Sequence, residues 1–197
     1  MLEYIIENEE REKGARIICG VDEAGRGCLC GPVFAAAVVL PDDYFNAELN
    51  DSKKISPKKR EKLFDDIISN AVAYGIAYAD VDEIEQINIL NAAMLAMKRA
   101  IHKLDVNVDI ALIDGNIARG FDCNTRTVVK GDSLSPSIAA ASILAKVSRD
   151  RFIIKQAEIY NNYGFEKHKG YATKEHIDAI RKYGPCEIHR PSFLKKI

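Results

Sequence analysis

Four acidic residues stand where strand-like runs give out. Asp22 and Glu23 follow Arg16-Ile17-Ile18-Cys19-Gly20-Val21, Asp114 follows Val108-Asp109-Ile110-Ala111-Leu112-Ile113, and Asp132 lies just beyond Thr125 to Val129. If those strands are neighbours in one sheet, their ends converge, and the carboxylates with them. Clustered carboxylates repel one another and bind protons unless a cation compensates, so a functional cluster implies a divalent metal. All-oxygen ligation suits Mg2+ or Mn2+. Two such ions, roughly 3.5 to 4 Å apart in known sites, activate water on one side of a phosphodiester and stabilise the leaving oxygen on the other. A single Asp after a strand is more often a turn residue or helix cap, and only the repetition carries weight. Successive strand residues point to opposite faces, so Asp22 and Glu23 reach one site only if the strand breaks there, as Gly25 and Gly27 allow.

Gly25-Arg26-Gly27 invites a dinucleotide-binding reading, but the third glycine falls at Gly31 and no helical pattern follows. What remains is a glycine-rich turn beside the carboxylates, where backbone groups can approach a sugar or phosphate closely. On its own it would be a tight turn between paired strands.

The elements that must position these groups are legible in the periodicity. Val33 to Leu40 is a second apolar run stopped by Pro41, and Ala71 to Ala79 a third strand. Ser56-Pro57 starts a helix with Leu63, Phe64, Ile67 and Ile68 on one face. A helix from about Asn88 to Leu104 carries Met94 and Met97 at core spacing, and Ser135-Pro136 opens a long helix rich in alanine that can pack closely on a sheet. Thr173 to Lys182 forms a short last helix closed by Gly184-Pro185. The pattern predicts an α/β fold with a mixed sheet covered by helices.

With 197 residues, 47% apolar and 29% charged, the chain has an ordinary globular composition, neither disordered nor collagen-like, and suits a single domain over 1–197. No stretch approaches the roughly 18 apolar residues of a membrane span, and the acidic N-terminus is unlike a signal peptide, so a cytoplasmic location is expected. Five cysteines without a C-x-x-C pair suggest reduced, mostly buried thiols. Residues 1–129 hold 15 Lys and Arg against 22 Asp and Glu; residues 130–197 hold 13 against 7. A basic segment beside an acidic one suits a polyanion-binding face next to a metal site. Lys54, Lys58, Lys59 and Arg60 read as solvated charge at a helix start, Lys146, Arg149 and Arg151 as phosphate or ion-pair residues, and the four histidines as too scattered for a metal site.

The run Gly20-Val21-Asp22-Glu23-Ala24-Gly25-Arg26-Gly27-Cys28-Leu29-Cys30-Gly31-Pro32-Val33 resembles the signature of the bacterial ribonuclease HII family, the type 2 ribonucleases H. Asp51-Ser52-Lys53-Lys54, Asp114-Gly115, Lys130-Gly131-Asp132, Ile138 to Val147, Arg149-Asp150-Arg151, His168 to Thr173 and Ile188-His189-Arg190 resemble further family motifs in the family's order. The resemblance implies a ribonuclease H-like fold: a mixed five-stranded sheet flanked by helices, with a small helical C-terminal segment, about 163–197, that contacts substrate. It implies Asp22, Glu23, Asp114 and Asp132 as ligands of Mn2+ or Mg2+. The reaction it implies is hydrolysis on the 5′ side of a ribonucleotide in RNA-DNA hybrids and in DNA duplexes containing single ribonucleotides. By the same likeness Gly25, Arg26 and Gly27 read the 2′-hydroxyl, Lys53 lies near the scissile phosphate, and Tyr171 stacks on the following sugar. Cys30 departs from the small residue usual at its position. A nuclease of the same fold acting on continuous hybrids without junction preference is the alternative, and a monomer is expected.

Overall fold

Five short runs of β-branched, aromatic and small residues form β1 (Ile18–Ala24), β2 (Val33–Val39), β3 (Ala73–Ala79), β4 (Ile110–Asp114) and β5 (Asn124–Val128). The computed structural model describes residues 2–50, 52, 55–195 and 197. The strands join in one sheet of order β3-β2-β1-β4-β5. β1, β2 and β3 are antiparallel neighbours, and β4 and β5 run parallel to β1, which is the mixed direction expected.

Helices α1 (Ile5–Glu12), α2 (Pro57–Asn70), α3 (Val81–His102) and α4 (Pro136–Ile159) precede or flank the sheet. On one face Cys19, Val21, Ala35 and Ala37 pack against Ala93, Met97 and Ala100 of α3. On the other, Ala36 and Val38 meet Phe64 and Ile67 of α2 and Ala140 and Leu144 of α4. Gly20 permits the closest approach: a Cβ there would lie 2.1 Å from the Ser137 carbonyl carbon, so the start of α4 rests directly on β1. That contact sits two residues from Asp22.

The predicted helix start at Asn88 marks a real break inside a longer element. Asn88 is left-handed (φ 65), and its side chain caps the following turn by accepting the Leu90 and Asn91 N–H groups at 3.1 and 3.2 Å. The turns before it, absent from the sequence reading, start at a capping box in which Asp80 accepts the Glu83 N–H and Glu83 accepts the Asp80 N–H.

Beyond α4 come α5 (Phe165–His168), α6 (Lys174–Tyr183) and α7 (Pro191–Leu194). Their Phe165, Ala179 and Ile180 share an apolar cluster with Leu29, Cys30 and Ile153, so the C-terminal residues pack on the turn after β1. Among the described residues no helix is long and apolar enough to cross a membrane.

Candidate active site

Parallel pairing sets Val21 beside Ile113, so the next residues, Asp22 and Asp114, stand together at the carboxyl ends of β1 and β4. Asp22 is 4% exposed, accepts the Glu23 N–H at 2.7 Å and is hydrogen-bonded by the Ser142 side chain from α4. Ser142 in turn lies 2.9 Å from the hydroxyl of Ser52. Burial, then the nearby Glu23 and Asp114 carboxylates, pushes the Asp22 carboxyl well above the usual carboxylate range. Asp114 accepts the Gly131 N–H at 2.7 Å, which holds the 3-10 turn Gly131–Ser133 against it and brings in Asp132. Asp132 is buried and accepts the Ser133 hydroxyl at 3.2 Å.

Glu23 corrects one expectation. β1 does not break at the acidic pair; its pairing with β2 stays regular through Ala24, so Asp22 and Glu23 lie on opposite faces of the strand. They are nonetheless close enough for the Glu23 carboxylate to act on that of Asp22, and Glu23 lines the cleft beyond the strand. Glu23 also meets Arg26 at 3.1 Å.

Among the described residues no three His, Cys, Asp or Glu side chains close around one point as a finished metal cage. The donor chemistry nevertheless fits a hard divalent cation. The groups are all oxygen donors, and the cation would supply the positive charge that Asp22 otherwise takes as a proton.

Beyond Glu23 the chain turns at Gly25, whose φ of +103° favours glycine and whose Cβ would strike the Arg149 side chain at 2.2 Å. Gly27 faces open space. A cleft of about 490 Å³ is lined by Glu23, Gly25, Arg26, Gly27, Ser142, Lys146 and Tyr171. Tyr171 is 41% exposed, and its ring lies 5.3 Å from the Lys146 ammonium and 5.9 Å from the Arg149 guanidinium carbon. Lys53 lies outside the described residues. A smaller pocket of about 270 Å³ with mixed polar and apolar walls, beside Leu104, Phe121 and Asp122, lies at the opposite end of β4 and β5 and holds none of these groups.

Arg60, Arg149 and the histidines differ from the sequence reading, whereas Lys146 and Arg151 take its ion-pair option. Arg60 is not solvated; it donates to the carbonyls of Ser52 and Ile55 at 2.7 and 2.5 Å, near the site. Lys146 is held by Asp150 at 2.7 Å, Arg151 by Glu61, and Arg149 is fully buried on the carbonyls of Lys169 and Cys30. Three of the four histidines are not scattered: His168, His176 and His189 are buried together, with His168 and His176 stacked at 4.4 Å and His176 Nε2 3.0 Å from His189 Nε2, whereas His102 lies apart on Asp122. Ser142 escaped notice because a serine within an alanine-rich helix carries no signal beyond small size.

The model of the family described as ribonuclease HII matches residues 19–196. A curated ribonuclease HII from Caldicellulosiruptor bescii is 57% identical over 194 residues, covering 98% of this chain and 94% of that protein. Among solved structures, the ribonuclease H2 from Pyrococcus horikoshii OT3 has a TM-score of 0.73 at 25% identity, covering 90% of this chain and 93% of that one. Bst-RNase HIII in complex with Mn2+ has a TM-score of 0.70 at 18% identity, covering 88% and 65%, a likeness of fold. With its acidic strand ends and glycine turn in the matched region, the chain belongs to the ribonuclease HII family, metal-dependent endoribonucleases that hydrolyse RNA in RNA-DNA hybrids.

Proposed function

We propose that the chain cuts on the 5′ side of a ribonucleotide, both in RNA-DNA hybrids and at single ribonucleotides embedded in duplex DNA, leaving a 3′-hydroxyl and a 5′-phosphate. The observation that carries this reading is one cleft in which Glu23, the Gly25–Gly27 turn and Tyr171 meet, beside the paired ends of β1 and β4. Asp22, Glu23, Asp114 and Asp132 are the metal-holding residues, for Mg2+ or Mn2+, the latter supported by the fold likeness to a Mn2+-bound ribonuclease HIII. A pair of such ions, when bound, supplies the activation of water and the stabilisation of the leaving oxygen.

The chain's own residues do the rest. Ser142 and the Glu23 N–H orient the Asp22 carboxyl, and the Gly131 N–H orients that of Asp114. Gly25 and Gly27 leave their backbone groups accessible to a 2′-hydroxyl, which both donates and accepts. Arg26, half exposed, can meet a phosphate. The Tyr171 ring is backed by Lys146 and Arg149, and its open side can stack on the sugar of the next nucleotide, favouring a deoxyribose. Lys53 keeps its role near the scissile phosphate on the resemblance alone. Residues 163–197 carry Tyr171 to the cleft and serve as the substrate-contacting segment of one catalytic domain over 1–197. A monomer completes this reading, with a reducing, cytoplasmic setting that suits five free thiols.

The test is cleavage of a labelled DNA duplex carrying one ribonucleotide, with Mg2+, with Mn2+ and with chelator, beside the all-DNA duplex. A metal-dependent cut solely on the 5′ side of the ribonucleotide is expected. No cut there, with cutting of a continuous hybrid, would leave a hybrid nuclease without junction preference.

A further inference from the structure

Arg190 lies at the far end of the chain from the glycine turn and is 0% exposed. Its guanidinium donates from Nε and Nη2 to the Gly31 carbonyl at 2.9 and 2.6 Å, and from Nη1 to the carbonyls of Cys28 and Arg26 at 2.8 and 3.2 Å. Among the described residues no carboxylate forms an ion pair with it. The surrounding backbone is zipped to the same segment: Gly31 N–H donates to the Ile188 carbonyl at 2.8 Å and Arg190 N–H to the Leu29 carbonyl at 2.9 Å. The next residue back, His189, reaches His176 at 3.0 Å, and His176 Nδ1 donates to the Tyr171 carbonyl at 2.9 Å.

Burying a cation against neutral carbonyls is a poor way to gain stability. Apolar side chains of similar volume in place of buried charge are often neutral or stabilising. A planar fork of donors does what an apolar group cannot: it fixes the positions of three carbonyls relative to one another. Those carbonyls belong to Arg26, Cys28 and Gly31, so the turn proposed to meet the ribose is held from behind at its own backbone.

We propose that Arg190 is a positioning residue for ribonucleotide recognition: it sets the Gly25–Gly27 backbone and, through His189 and His176, ties that turn to the loop carrying Tyr171. The inference rests on the reading that Gly25–Gly27 meets the 2′-hydroxyl. A turn that drifts by a fraction of an ångström would still bind duplex through phosphates but would miss the sugar, so the effect should fall on kcat rather than KM.

Arg190→Lys keeps the charge and loses the fork; Arg190→Met loses both. On the single-ribonucleotide duplex with Mg2+, assayed below each variant's melting temperature, Arg190→Lys is expected to lower kcat tenfold or more. KM should change by less than about threefold, half-saturating Mg2+ should be unchanged, and Arg190→Met should lose more. A kcat for Arg190→Lys within twofold of the wild type overturns the proposal, as does an equal loss through KM alone. In the wild type the Gly31 and Arg190 amides should exchange as slowly as those of β1, and exchange at the rate of exposed loops would also overturn it. Gly27→Ala separates the two readings, because its methyl group meets nothing in the protein and projects into open space. Unimpaired cleavage by Gly27→Ala would remove the sugar-reading turn, and this proposal with it. Impaired Gly27→Ala beside a normal Arg190→Lys would remove only the positioning role.

Discussion

Acid should destabilise this protein through His176, and the hydrogen bonds show why. The Tyr171 carbonyl can only accept, so His176 Nδ1 carries the proton and its Nε2 accepts from His189 Nε2. His189 Nδ1 then accepts the Cys186 N–H at 2.9 Å. A second proton on either ring would set donor against donor inside a site where His176 is 0% exposed. Accordingly burial pushes His176 down from 6.5 to about 4, and burial lowers His189 as well. Between those two pH values the unfolded chain binds the proton and the folded one does not, so stability is complete above about pH 6.5 and is lost as the pH falls toward 4. Fully developed, a shift of that size is worth about 3 kcal/mol, of which about 2 kcal/mol is gone by pH 5. Urea unfolding at pH 7.5 and 5.0 measures it, comparing the wild type with His176→Gln. The variant is expected to be less stable at pH 7.5, and its loss on acidification should be smaller by about 2 kcal/mol. Equal losses in the two proteins would refute the buried neutral histidine.

The remaining expectations concern the site and its support. Asp22→Asn should abolish cleavage while leaving the circular dichroism spectrum intact. In chelator it should melt no lower than the wild type, because a neutral amide spares the buried site the cost of holding a charge, or of taking up a proton, beside Glu23 and Asp114; a lower melting temperature would contradict that electrostatic picture. Gly20→Ala forces a methyl group into the backbone of Ser137 and should cost about 2 kcal/mol or more, read as a lower urea midpoint at unchanged m. Tyr171→Ala should weaken cleavage at a single embedded ribonucleotide more than cleavage of a long hybrid, and equal losses on both would show that Tyr171 does not read the junction. Each of these is decided by comparison with the wild type under the same salt and metal.

The strands, their boundaries within about three residues, and the acidic groups at or just beyond their ends were legible in sequence because they rest on local physics. A continuous apolar run makes a buried strand, proline and glycine stop it, and a polar residue at the stop has nowhere to go but the strand end. The glycines flanking Arg26 and the break at Asn88 belong to the same local chemistry. What only the tertiary structure decided depends on which distant segments meet. Glu23 lines one cleft with the glycine turn and Tyr171 although the strand stays regular, because segments far apart in sequence close around the end of β1. Ser142 serves Asp22 because α4 rests on Gly20. Three histidines spread over residues 168–189 stack into one network because α5, α6 and the segment before α7 fold onto one another. Arg149 reads in sequence as a phosphate or ion-pair residue, yet it ends on the carbonyls of Lys169 and, more than a hundred residues away, Cys30, and Arg190 likewise ends on the distant carbonyls of Cys28 and Gly31. No side-chain pattern could announce such partners, since every residue carries a carbonyl and only the folded backbone determines which of them point at a buried guanidinium.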